Sequence, residues 1–448
     1  MTKKRGSFNS NFGAIAAAAG SAIGLGNIWR FPYVVGENGG AAFIIVYILI
    51  IALIGLPLIM TEFALGRSTH KNVFGTFRLL APKTKWYLVG IIGIVGSLII
   101  LSFYSVIAGW TLAFLEFSIT DSFSGVDPAQ IALNFKSFVN GGVEPVLYMV
   151  LFIILTAIIV CLGVEKGIER YNKILMPILC LILIILSINS FTLSGLNEGL
   201  SFLFKPDFSK IDGSVVLSAL GQAFFSMSIG MGCLMTYGSY LRKEDNIFRT
   251  AGYVAISDMT IAILAGIAIF PAVFTYGIEP GSGPDLVFIT LPNIFAQMTG
   301  GYIFSIMFFI LLAVAAITSS VSLMEVVVAY LCEEFKMKRI TTVLIATLLA
   351  IAIGTLCAVS QMETSTIKIA GQNIFNLLDN FTSSYMLTIS GFLIVLYAGW
   401  FMSKTKLREE IIANSSFVAK NYGTFLFLIR FIAPTAIIFV FLSKVGAI

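Results

Sequence analysis

Eleven apolar runs, each bounded by charged or turn-forming residues, divide the chain at approximately 11–36, 41–66, 87–118, 146–162, 167–189, 213–241, 247–277, 300–332, 340–358, 372–402 and 423–444. Such a pattern leaves few folds open. About 20 apolar residues cross the hydrocarbon core of a bilayer as a helix, and in lipid each backbone N–H and C=O must be paired within the structure. Only 11% of the residues are charged and the mean hydropathy is +0.96, whereas a soluble domain carries about 25% charge. The expected fold is an all-α polytopic membrane protein with eleven transmembrane helices.

The positions of the charges set an orientation. Of the 28 lysines and arginines, 21 fall in the N-terminal tail and in alternate connections with the run ends beside them, five on the intervening side, and Arg30 and Arg430 deeper inside runs. The positive-inside rule then puts the N-terminus in the cytoplasm and, after eleven crossings, the C-terminus outside. A net charge of +5 distributed in this way marks a membrane protein and not a nucleic-acid surface. Lys3, Lys4 and Arg5 before an apolar run have the form of a secretory signal, but the pattern continues through Phe31 and Tyr33, so no cleavage is expected. The five cysteines form no C-x-x-C pair and the single histidine, His70, lies in a basic connection. Neither a metal cluster, a disulfide framework nor a histidine proton relay is indicated. No Walker-type phosphate loop and no recognisable acid–base or nucleophile arrangement appears, so an enzyme is not expected.

Inside the first run, Gly20, Gly24 and Gly26 fall within seven positions and are followed at once by Asn27 and Arg30. Each glycine weakens a helix by about 1 kcal/mol relative to alanine. A break is expected here, and broken backbone at membrane depth persists only where it lines a cavity or holds a ligand. The alternative, a close-packed glycine face, accounts for Gly20 and Gly24 but leaves Asn27 and Arg30 unexplained. A second interruption runs from Gln222 to Gly232 in the sixth run. Paired breaks in corresponding runs are the mark of a transporter built from two inverted halves around a midplane site. The expected organisation is a single transporter domain over 1–448, with a five-plus-five inverted repeat at 11–189 and 213–402, broken helices 1 and 6, and an added helix at 423–444.

The string Gly20-Ser21-Ala22-Ile23-Gly24-Leu25-Gly26-Asn27-Ile28-Trp29-Arg30-Phe31-Pro32 resembles, almost letter for letter, the first transmembrane helix of the neurotransmitter:sodium symporter family. Tyr104 to Trp110 resembles the family's third helix and Ala315 to Ser320 its eighth. The likeness covers nearly all ten core helices, and eleven helices in place of the commoner twelve resemble short bacterial members. The resemblance implies a multi-pass protein of the bacterial cytoplasmic membrane that takes up an amino acid with sodium by alternating access. Its partners would be the small-molecule substrate and the lipid bilayer, with the oligomeric state left open. A channel, or a transporter of another small zwitterion with a different coupling ion, is the alternative.

By the same likeness, the substrate carboxylate meets the amides of Leu25 and Gly26 and the hydroxyl of Tyr104. Relatives that carry amines tend to have an aspartate where this chain has Gly24, which implies a cargo bringing its own carboxylate. Ala22, Ser226, Ser228 and Ser319 also belong to the implied site. Its side-chain wall is Ile100, Phe225, Met231, Ser320 and Leu323, which implies hydrophobic cargo, large aromatic amino acids included. Two sodium sites are implied, and all-oxygen sets suit a hard cation. The first uses the Ala22 carbonyl, Asn27, Ser226 and Asp258 with the substrate carboxylate. The second uses the carbonyls of Gly20, Ile23 and Ala315 and the hydroxyls of Thr318 and Ser319.

Most relatives have asparagine at the position of Asp258, and chloride-dependent ones have a serine one turn later, where this chain has Ala262. Asp258 is therefore expected to supply the charge that chloride supplies elsewhere, and no chloride is expected. A buried carboxylate near the midplane costs about 2.5–3.5 kcal/mol, so a protonated or hydrated Asp258 is the alternative. Arg30 and Asp379 resemble an outer gate and Arg5 and Glu333 an inner one, with Phe8, Ser239 and Tyr240 nearby. Glu62 is expected to hold unwound backbone and Gln222 to support the outer gate. Gly167 and Pro177, nine residues between them, resemble a motif of cytoplasmic unwinding; a plain proline kink is the alternative.

Overall fold

A computed structural model describes residues 6–277, 286–369 and 371–444. In chain order, α1 is a bent pair, Asn11–Ala22 and Gly26–Glu37, meeting at 50°. There follow α2 (Ala41–Thr69), α3 (Tyr87–Ile119), α4 (Val143–Cys161) and α5 (Val164–Ser190). Helix α6 is again in two pieces, Gly213–Ser226 and Cys233–Gly238. The remainder are α7 (Ile247–Thr275), α8 (Gly301–Glu334), α9 (Arg339–Ser360), α10 (Ile374–Phe401) and α11 (Tyr422–Ser443). Nine unbroken helices and the bent α1 are long and apolar enough to cross a membrane, ten among the described residues. The run expected at 213–241 is not among them because its pieces have 14 and six residues and are parted by the six residues 227–232. Helix ends depart from the apolar runs by a few residues, since helical backbone continues into polar flanks: α2 extends to Thr69 and α5 starts at Val164. At 372–373 the chain is still in a short antiparallel hairpin, Lys368 facing Asn373 and Ile369 facing Gln372.

Burial sorts the helices into two layers. The most apolar stretches of α8 and α3 are 78% and 72% buried, against 33% for α5 and α11 and 39% for α4. The first two are pillars of the interior. The others turn large apolar side chains outward, among them Leu147, Leu151, Leu181 and Ile188, as lipid-facing helices do.

Both breaks have local causes. Ser10 caps α1, its Oγ accepting the Gly13 N–H at 3.0 Å, and the first piece stops where Ile23 becomes extended (φ −81°, ψ 105°). Asp212 caps α6, accepting the Val215 N–H at 3.0 Å. Beyond Ser226 the chain passes through left-handed backbone at Ser228 (φ 54°), Gly230 and Gly232 (both φ 80°), which a right-handed helix cannot continue. The short second piece of α6 is held against α2 by backbone contact. A Cβ on Gly66 would strike the Met235 carbonyl, and one on Gly238 would lie 2.7 Å from the Phe63 Cα.

Candidate functional site

The two breaks face one another. The Ser228 hydroxyl donates to the Ser21 carbonyl at 2.8 Å, and Gln222 Nε2 donates to the Gly26 carbonyl at 3.0 Å. Glu62, buried on α2, accepts the Gly230 N–H at 2.8 Å and so steadies the left-handed turn. Gln222 thus supports the first break directly.

Between the breaks lies a cavity walled by both broken helices, α3 and α8. Ten of the expected substrate residues line it: Ala22, Gly26, Ile100, Tyr104, Phe225, Ser226, Ser228, Met231, Ser319 and Leu323. Ser21 and Gly24 line it too. The other two expected residues, Leu25 and Ser320, are placed differently. Leu25 is not a lining residue, and its amide N–H donates to the Tyr104 hydroxyl at 3.2 Å. Ser320 does not line the cavity either; its hydroxyl oxygen is buried without a hydrogen-bond partner. Ser319 and Leu323, four apart, share one face of α8, whereas the residue after Ser319 is turned by about 100°.

At one edge of the cavity, three oxygen-bearing side chains converge on a buried carboxylate. Asn27 Nδ2 donates to Asp258 Oδ1 at 2.8 Å and to the Asp258 carbonyl at 3.1 Å, and the Ser226 hydroxyl donates to the same Oδ1 at 2.6 Å. Asn27 Oδ1 in turn accepts the Gly24 N–H at 3.1 Å. Tyr47, which the sequence gave no reason to choose, donates to Asp258 Oδ2 at 3.1 Å. Among the described residues no lysine or arginine is paired with Asp258. One turn on, Ala262 is fully buried.

A second oxygen cluster joins α1 to α8. Thr318 Oγ1 stands 2.9 Å from the Ala315 carbonyl and 3.3 Å from that of Ile23. Ser319 Oγ lies 3.4 Å from the carbonyls of Gly20, Ser21 and Ile23. Only oxygen is offered, as a hard cation requires.

On the other side of Phe225, the Arg30 guanidinium lies 4.5 Å from the ring centroid and lines a separate recess with Ser383 and Leu387. Asp379 is near the end of Ile374–Asn380, its carbonyl accepting the Ser383 hydroxyl at 2.6 Å. Glu333 accepts both the backbone N–H and Nδ2 of Asn72 at 2.9 Å. Its expected partner Arg5 lies outside the described residues. Phe8 meets the rings of Tyr237 and Tyr240 edge-on, and Tyr240 donates to buried Glu325 at 2.7 Å.

Comparison with known proteins gives these features a context. The model of the sodium:neurotransmitter symporter family matches residues 5–127 and 129–448. A Bacillus subtilis (strain 168) protein described as the uncharacterized sodium-dependent transporter YhdH is 39% identical over 437 residues, 98% of this chain and 97% of its own length. A Haemophilus influenzae protein, also described as an uncharacterized sodium-dependent transporter, is 34% identical over 99% of this chain and 98% of its own. The crystal structure of MhsT in complex with L-phenylalanine is 44% identical, with a TM-score of 0.91 over 98% of this chain and all of that one. A broken-helix architecture and near full-length similarity lead to the same place: this chain is a sodium-dependent membrane transporter, not an enzyme, and belongs to the sodium:neurotransmitter symporter family.

Proposed function

We propose that the protein takes up hydrophobic amino acids, aromatic ones included, with two sodium ions by alternating access, without chloride, in the cytoplasmic membrane of a bacterium. The observation that carries the reading is the surroundings of Gly24. A Cβ there would collide with Ser319 Oγ and lie 3.0 Å from the Tyr104 hydroxyl. The chain thus has no room for an acidic side chain at this point, and a carboxylate brought by the cargo takes its place beside Gly26 and Tyr104. Ile100, Phe225, Met231 and Leu323 offer an apolar wall to its side chain, and Met231 adapts to cargo of different shape. MhsT, similar over the whole chain, has been solved with L-phenylalanine.

Asp258 with Asn27, Ser226 and Ala22 is the first sodium site, and Gly20, Ile23, Ala315, Thr318 and Ser319 are the second. The Asp258 carboxylate is the fixed negative charge that makes chloride unnecessary. Arg30 with Asp379, and Arg5 with Glu333, are the outer and inner gates; ion pairs within reach of water are individually weak, which suits contacts that must open. The eleven crossings put the N-terminus in the cytoplasm and the C-terminus outside, with helices 1–5 and 6–10 as inverted repeats.

Purified protein in liposomes tests this with labelled leucine, phenylalanine, tyrosine and tryptophan under imposed sodium, proton and chloride gradients. The expected result is saturable uptake driven by inward sodium and unchanged when gluconate replaces chloride. Uptake driven by a proton gradient alone, or conductance that does not saturate, overturns the ion assignment; loss of uptake in gluconate overturns the role of Asp258.

A further inference from the structure

We propose that Asn172 of α5 is a further oxygen ligand for the sodium held between α1 and α8, a role that rests on the reading of Gly20, Ile23, Ala315, Thr318 and Ser319 as a sodium site. Asn172 is 2% exposed. Its Nδ2 donates to the Ile168 carbonyl at 2.8 Å, one turn back in α5. That bond fixes which way round the amide sits, because a carbonyl cannot pair with the amide oxygen. The other end, Oδ1, is buried and has no hydrogen-bond partner among the described residues. Native proteins seldom leave a buried acceptor unpaired without a reason.

The direction in which Oδ1 points supplies the reason. A Cβ on Gly20 would fall on Asn172 Oδ1, and the same point lies 3.3 Å from the Thr318 Cβ. The amide oxygen and the Thr318 side chain therefore flank one spot beside Gly20. The oxygens already gathered there are the Gly20 carbonyl, 3.4 Å from Ser319 Oγ, and the Ile23 carbonyl, 3.3 Å from Thr318 Oγ1. An uncharged amide oxygen is an ordinary ligand for a hard cation, and Asn172 completes this cluster from a third helix. The absence of a side chain at position 20 is then what lets α5 reach the ion.

One turn before Asn172, Glu169 accepts the Asn9 N–H at 2.8 Å and the Ser10 hydroxyl at 3.1 Å. Two successive turns of α5 thus face the first piece of α1, Glu169 bonded to its start and Asn172 set beside Gly20 near its end. Both lie between Gly167 and Pro177, so unwinding there withdraws an ion ligand together with the anchor of the tail. Sodium release on the α5 side and loosening of α1 become a single event.

The test is equilibrium binding of ²²Na⁺ to the purified full-length protein, with a sodium titration of labelled phenylalanine binding, in the native protein and in Asn172→Ala, Asn172→Asp and Thr318→Ala. Asn172→Ala is expected to raise the sodium concentration for half-saturation by about tenfold, the lower end of what loss of a supporting group costs a metal site. Asn172→Asp, which keeps an oxygen in place, is expected to bind sodium at least as tightly as the native protein. Should Asn172→Ala fail to fold, Asn172→Ser, whose hydroxyl is too short to reach, takes its place. A native sodium titration in Asn172→Ala or Asn172→Ser, with loss of one bound sodium in Thr318→Ala, overturns the role of Asn172 and leaves the site standing. An unchanged Thr318→Ala overturns the site itself and the proposal with it.

Discussion

Asp258 is the residue on which the proposed ion chemistry turns. Three donors, from Asn27, Ser226 and Tyr47, reach its carboxylate, yet hydrogen bonds alone do not balance a charge away from water. In the proposed first site a bound sodium does, and the pair is then neutral without an added anion. Asp258→Asn removes that balance while keeping the shape. Its uptake in gluconate is expected to fall by about tenfold or more, equivalent to at least about 1.4 kcal/mol, with partial recovery in chloride, where an anion can take over the missing charge. Full uptake in gluconate would show that the charge of Asp258 is dispensable. The cavity wall offers a second test. Met231→Phe puts a rigid ring where a flexible thioether now bends, and overpacking costs about 1–3 kcal/mol. Tryptophan uptake is expected to fall about tenfold relative to leucine uptake, read from competition against one labelled amino acid. An unchanged ratio would take Met231 out of the specificity wall.

At the scale of elements, the second break survives because α2 holds it. Glu62 occupies the Gly230 N–H, and Gly66 and Gly238 let the two backbones touch. Glu62→Ala leaves a buried N–H unpaired, which costs about 1–3 kcal/mol. A lower melting temperature in detergent is expected, together with weaker phenylalanine binding. Gly66→Ala, whose Cβ would strike the Met235 carbonyl, is expected to lower the yield of monodisperse protein, while Gly252→Ala, with nothing within 4 Å, leaves it unchanged. Equal behaviour of the two alanines would mean that the contact between α2 and α6 carries no stability. Much of this frame is legible in the sequence, because length, hydropathy and glycine spacing act locally. Apolar length marks the helices, and Gly20 to Gly26 and Gln222 to Gly232 mark the breaks. What escapes is what depends on facing and on distant partners. Ser320 is adjacent to Ser319 in sequence but on another face of α8. Tyr47 and Asn172 look like an ordinary packing aromatic and an ordinary helix amide until α7 and α1 are brought against them. The Leu25 amide, unpaired by the logic of a broken helix, finds the Tyr104 hydroxyl from a helix some eighty residues away.

For the whole molecule, the two sodium sites proposed above set a limit on accumulation. Each positive charge crossing 100 mV releases about 2.3 kcal/mol, so two release about 4.6 kcal/mol. Since about 1.4 kcal/mol is tenfold, a zwitterion carried with two sodium ions can be concentrated about two thousandfold, and one carried with a single ion only about fortyfold. Liposomes with equal sodium on both sides and a potassium diffusion potential isolate this electrical part. Labelled phenylalanine is expected to reach a plateau whose logarithm rises with voltage at the slope of two charges. Thr318→Ala, lacking a ligand of the site between α1 and α8, is expected to fall toward the slope of one. A native slope of one would mean that only one charge moves per amino acid, and that the cluster of Gly20, Ile23, Ala315, Thr318 and Ser319 holds the helices together without carrying an ion.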